Sequence, residues 1–160
     1  MRRKVFLDAN IFFDCLESQD FKNVINHAIH RDCQIFTSLT VIGEVILIMK
    51  REQKSDEDLV AFSSLFDEWE ITILIPTDEV AFICYEFSKD DTDGRIIGEK
   101  TDRTHLAYAI AYECDFFVTS DDALMRYRIP MNLKESDFNK PHTLTLDRFK
   151  EIVLNKQRFS

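Results

Sequence analysis

The stretch Asp102 to Asp122, DRTHLAYAIAYECDFFVTSDD, constrains the fold more than any other part of the chain. It opens with an acid, and Ala107, Ile110, Ala111 and Cys114 recur at a spacing that predicts a helix with one small, apolar face. At Asp115 the chain turns into Phe116, Phe117 and Val118, a run too short for a helix and rich in strand formers. The run ends in Thr119, Ser120, Asp121 and Asp122. In a parallel α/β sheet, a helix leaves the rim and the next strand returns to it. The acid that starts the helix and the acid that follows the strand therefore share one rim. Ligands bind on that rim, beyond the carboxyl ends of the strands.

The rest of the chain alternates in the same way. Lys4 to Leu7 reads as a buried strand, and Asn10 reads as the N-cap of a helix through Ile11, Phe12 and Leu16. That leaves Asp8 at the carboxyl end of the first strand. Phe21 to His30 reads as a helix and Gln34 to Thr37 as a short strand. Thr40 to Arg51 is a strongly apolar helix in which Glu44 stands among Val41, Ile42, Val45, Ile46, Leu47 and Ile48. A polar-faced helix from Asp56 to Trp69 precedes a strand from Ile71 to Ile75, and Thr77 caps a helix through Phe87. Lys89 to Thr101 is a polar loop. After Asp122 come a helical turn with Leu124 and Met125, an irregular stretch from Pro130 to Pro141, and an edge strand from His142 to Leu146. Asp147 is read as the cap of a last helix through Phe149, Ile152 and Val153. Alternation of this kind implies a parallel sheet of about five strands covered on both faces, in one domain spanning residues 1–160. No G-x-G-x-x-G follows the first strand, so a dinucleotide fold is not indicated.

Composition narrows the function classes. A net charge of −9 opposes broad adhesion to nucleic acid, and suits a carboxylate site or a basic protein partner. The four cysteines are scattered without a C-x-x-C pair, which argues against zinc and for a reduced, cytoplasmic chain. No secretory apolar region follows the basic start, and no stretch approaches the roughly 20 apolar residues of a membrane helix.

Asp8, Glu44, Asp102 and Asp121 stand out together. Two leave strand ends, one opens a helix, and one lies in an apolar helix. Four carboxylates in one cleft resist ionising together unless a divalent cation removes the repulsion. Such an ion can activate water and steady charge on a phosphoryl group. Taken singly, Asp8, Asp102, Asp121, Asp122 and Asn10 also read as turn or capping residues, and Thr119 and Ser120 as partners for backbone groups. The joint pattern carries the functional reading. His105, one helical turn from Asp102, is expected to point elsewhere.

VFLDANIFFD, Glu44 in its apolar helix, DRTHLAYA and FFVTSDD occur in that order between Val5 and Asp122. This set resembles the PIN-domain family, which includes the VapC-type toxins. The resemblance implies a three-layer α/β/α sandwich with a central parallel sheet, and a magnesium- or manganese-dependent ribonuclease. It carries the family's acids onto Asp8, Glu44, Asp102 and Asp121, its polar residue two after the first acid onto Asn10, and its hydroxyl before the last acid onto Thr119. Asp122 is an alternative to Asp121 as the fourth acid. Asp8, Asp102 and Asp121 would hold the ion or ions (Mg2+ or Mn2+), with Glu44 holding a second ion or orienting water. In-line attack of an activated water on an RNA phosphodiester would leave a 5′-phosphate and a 3′-hydroxyl. Arg95, Lys100, Arg103, Arg126 and Arg128 flank the acids and are candidates to hold the RNA backbone. A toxin would imply an antitoxin with a basic segment, and a homodimer. A non-catalytic PIN-like interaction module is the main rival. A receiver is disfavoured because Ile71 to Pro76 ends without an acceptor Asp, and a haloacid-type phosphatase because Asn10 stands where its second Asp belongs.

Overall fold

A computed structural model describes residues 1–89 and 100–155. Residues 90–99 of the polar loop, including Arg95, and the side chain of Lys100 lie outside the described residues. The chain forms β1 (Arg3–Leu7), α1 (Ala9–Glu17), α2 (Gln19–His30), β2 (Cys33–Ser38), α3 (Leu39–Arg51), α4 (Asp56–Glu68) and β3 (Thr72–Leu74). These are followed by α5 (Asp78–Ser88), α6 (Lys100–Ala111), β4 (Phe116–Val118), α7 (Asp122–Arg126), α8 (Met131–Glu135), β5 (His142–Leu144) and α9 (Leu146–Leu154).

The strands make one all-parallel sheet in the order β3-β2-β1-β4-β5. Val5, Phe6 and Leu7 of the central strand are fully buried, as both faces of a covered parallel sheet require. Phe6 stacks on Phe117 of the neighbouring β4, with ring centroids 5.3 Å apart. Helices α1 to α4 pack among themselves with α9, and α5 to α8 pack among themselves, so the sheet lies between two helical layers. The expected α/β/α sandwich is thus the observed one, including the fifth strand at the edge. Strand order reverses at β1, between β2 and β4. Such a switch point opens a crevice at the carboxyl ends of the strands. Among the described residues, no helix is long and apolar enough to cross a membrane.

Four details depart from the sequence reading. Asp8, not Asn10, caps α1, because the helix begins one residue after β1 ends and its carboxylate accepts from the Ala9 N–H. Asp102 is not a cap but the third residue of α6, inside its first turn. Thr145 caps α9, and Asp147 lies in that helix's first turn. The stretch read as irregular between Pro130 and Pro141 contains α8, a single turn too short to show a helical period.

Helix α6 was expected to bury one face. His105 to Ile110 are all buried, because the helix is covered by the sheet on one side and α5 on the other. Its alanines keep both approaches close. Helix α3 shows the reverse: Leu39, Ile46 and Leu47 of its apolar run are exposed, Val41, Val45 and Met49 are buried in the core, and Ile42 packs against it partly buried.

Candidate metal centre

Asp8 is delivered by the shortest possible route, from a central strand straight into a helix. Its backbone N–H donates to Val118 O at 3.0 Å, so it is still tied to β4 as it leaves the sheet. Its carboxylate is 1% exposed, and both oxygens are held. Oδ1 accepts from Ala9 N at 2.8 Å, and Oδ2 accepts from the Thr119 hydroxyl at 2.7 Å. Burial pushes its pKa above the ordinary carboxylate value, and the charge of Glu44 adds to this, while His105, Thr119 and Ala9 oppose it.

Thr119 connects two acids. While its hydroxyl donates to Asp8, its oxygen accepts from Asp121 N at 3.1 Å. Asn10, in the first turn of α1, pins the same loop, its Oδ1 accepting from Ser120 N at 3.2 Å. Asp121 then caps α7, with one carboxylate oxygen accepting from Ala123 N at 2.8 Å, and its side chain also reaches Asp102. Asp122 is exposed at the start of α7.

Glu44 reaches the centre from α3, one-quarter exposed. Two side-chain bonds, one helical turn apart, lay α3 against α6 in antiparallel sense. Thr40 Oγ1 donates to Tyr108 Oη at 3.0 Å, and His105 Nε2 donates to Glu44 Oε2 at 2.5 Å. The carboxylate partner places the imidazole proton on Nε2. His105 is fully buried, its Nε2 is 4.0 Å from Asp8 Oδ1, and its Nδ1 has no hydrogen-bond partner among the described residues. The expectation that His105 points elsewhere is therefore corrected. Residues three apart on a helix share a face, and His105 stands beside Asp102 for that reason.

One potential ligand atom from each of Asp8, Glu44, Asp102 and His105 falls within 4.8 Å of all the others. Oxygens on opposite sides of one magnesium ion lie about 4.2 Å apart, so the three carboxylates of this set stand at the scale of one ion's coordination shell, with His105 holding Glu44 beside it. Burial and the charges of Asp8, Asp121 and Glu44, with the hydrogen bond to Asp121, hold the Asp102 pKa up to about 7. Without a cation, then, this pocket keeps protons on groups that are ordinarily ionised. That is the condition a divalent ion relieves, and the residues fit one.

Of the expected RNA-contacting cations, Arg126 and Arg128 are exposed beside α7. Arg103 is corrected: it is buried, and its guanidinium donates to Phe87 O at 3.2 Å. A cleft of about 300 Å3 leads from the centre between α1 and α3, lined by Asp14, Glu17 and Glu52 as well as Asp8, Glu44 and Asp102.

Residues 5–130 match the family model for the PIN domain. The chain belongs to the PIN domain family. Two solved structures show the PIN fold of this chain in other proteins. VapBC2 from Rickettsia felis, bound to a DNA fragment from its promoter, superposes with a TM-score of 0.64 at 16% identity, covering 89% of this chain and 98% of that one. VapBC-1 from nontypeable Haemophilus influenzae gives a TM-score of 0.63 at 14% identity, over 90% and 98% of the two chains. No curated protein matches in sequence.

Proposed function

We propose that this PIN domain is a magnesium- or manganese-dependent endoribonuclease, the toxin of a toxin–antitoxin pair. One observation carries the reading: at the sheet's switch point, potential ligand atoms of Asp8 just after β1, Glu44 of α3, and Asp102 and His105 of α6 lie within 4.8 Å of one another. Asp8, Asp102 and Asp121 would hold the ion. Glu44 would hold a second ion or orient water, with His105 fixing its carboxylate. When bound, a divalent cation supplies an activated water and charge stabilisation at a phosphodiester. Thr119 and Asn10 keep the Asp8 and Asp121 loops in register. Arg126 and Arg128, exposed at the rim, suit contact with the RNA backbone.

The cleft between α1 and α3 carries three further carboxylates, Asp14, Glu17 and Glu52, beside the apolar Phe13 and Ile48. Polyanionic RNA is repelled along such a path, whereas a basic, partly apolar protein segment is attracted. This supports an antitoxin whose basic segment enters the acidic cleft, in keeping with the VapBC assemblies that share the fold. A homodimer is part of the same reading, and sedimentation equilibrium reads it directly.

The test is cleavage of a mixed RNA pool by purified protein with and without Mg2+ or Mn2+. Wild type is expected to cut only with the ion, leaving 5′-phosphates, and Asp8→Asn and Asp102→Asn to stay folded and inactive. Full activity in Asp8→Asn refutes the site. Ion binding without cleavage of any RNA favours the non-catalytic interaction module.

A further inference from the structure

Lys140 is half-buried, and all three donors of its ammonium are spent on one target. Nζ donates to Leu124 O at 2.8 Å, Met125 O at 3.2 Å and Tyr127 O at 2.6 Å. These are carbonyls at the C-terminal end of α7, where a helix runs short of internal donors, although Leu124 O also accepts from Tyr127 N at 3.3 Å. A cation there also meets the negative end of the helix dipole. Helix α7 has only five residues and cannot stand alone. Its opposite end is capped by the Asp121 carboxylate, through Ala123 N at 2.8 Å. Lys140 lies in the segment between α8 and β5, and its stem lines a separate hollow at the opposite end of the sheet, with Asp115 and His142.

We propose that Lys140 is a positioning residue for Asp121: by clamping the far end of α7, it holds the Asp121 carboxylate against Asp102. This rests on the metal-centre reading given above and extends it to a residue that touches none of the acids. The backbone geometry supports it. With Thr119 fixing Asp121 N and Lys140 fixing the carbonyls of residues 124, 125 and 127, both ends of the turn that carries Asp121 are anchored. Burial lowers the Lys140 pKa from its ordinary value.

Mn2+ affinity, measured by electron paramagnetic resonance on wild type, Lys140→Met, Asp121→Asn and the double variant, tests this. Loss of an indirect support of this kind weakens metal binding roughly tenfold. The expected result is that loss in Lys140→Met, and no further loss when Lys140→Met is added to Asp121→Asn. An equal loss in both backgrounds means Lys140 acts on the fold in general, and unchanged affinity in Lys140→Met means it does not act at all. Either overturns the proposal. If wild type binds no Mn2+, the metal-centre reading fails on its own terms. Amide hydrogen exchange at Ala123 then decides the positioning role: faster exchange in Lys140→Met upholds the clamp, and unchanged exchange removes it.

Discussion

Replacing Thr119 with Val removes one hydroxyl and keeps the shape, so it isolates the link between two acids. The hydroxyl donates to the buried Asp8 carboxylate at 2.7 Å and accepts from Asp121 N at 3.1 Å. A hydrogen bond to a charged group contributes about 1.5–3 kcal/mol, and leaving Asp8 Oδ2 without its donor forfeits most of that. No cavity opens, since valine and threonine match in size. The ion-free protein should therefore lose about 2 kcal/mol at pH 8, where the Asp8 charge is most costly. For a chain of this length that is a fall in Tm of about 4–8 °C. The loss has a sign in pH as well. Thr119 lowers an Asp8 pKa that burial raises, so the variant penalises the ionised form more than the protonated one, on top of a pH-independent loss at Asp121 N. At pH 5, where Asp8 takes up a proton more readily, the difference from wild type should shrink. Thr119→Ser, which keeps the hydroxyl, should retain the pH dependence of wild type. Urea unfolding of the three proteins at both pH values is the assay. Equal stability of Thr119→Val and wild type at pH 8, or a loss that is the same at pH 5 and pH 8, refutes the reasoning.

Three further outcomes are expected. The Asp102 pKa is pushed up to about 7 in the folded chain from an ordinary carboxylate value of 3.8, so the folded state binds the extra proton in that window and ion-free stability falls as pH rises from about 4 to 7; thermal melts with Mn2+ present should lose this decline. His105→Leu removes the imidazole donor that holds Glu44 and should lower kcat roughly tenfold with little change in KM, as read by steady-state RNA cleavage. Trp69→Phe removes an indole N–H that donates to Asn26 Oδ1 at 2.8 Å in a 2%-exposed site, so it should cost about 1–2 kcal/mol in urea unfolding while leaving metal-dependent cleavage unchanged.

The positions of Asp8 and Asp121 are legible because each sits at an element boundary that sequence marks well. Asp8 follows an apolar strand, and Asp121 follows Phe116 to Val118 with a hydroxyl between. Glu44 was conspicuous as a lone charge in an apolar run, although that run turns Leu39, Ile46 and Leu47 to solvent and Glu44 stands at its margin. His105 was misjudged even though the signal was present. Three residues along a helix is about 300° of rotation, which returns to within about 60° of Asp102. By the same geometry Arg103, one residue on, is turned about 100° away and packs inward beneath Phe87 O. Both Asp8 and Asn10 are cap-forming types before the same helix, and α1 follows β1 so closely that Asp8 takes the position. The role of Lys140 had no sequence signature at all: its three carbonyl partners are 13 to 16 residues away in the chain and meet it only through the packing of β4 and β5.

The most direct test is a crystal structure of the wild-type chain grown with Mn2+, read by anomalous scattering. We expect a peak about 2.2 Å from carboxylate oxygens of Asp8 and Asp102, with Glu44 or Asp121 completing the set. A saturating Mn2+ concentration that leaves this pocket without a peak, or puts the ion elsewhere, contradicts the assignment.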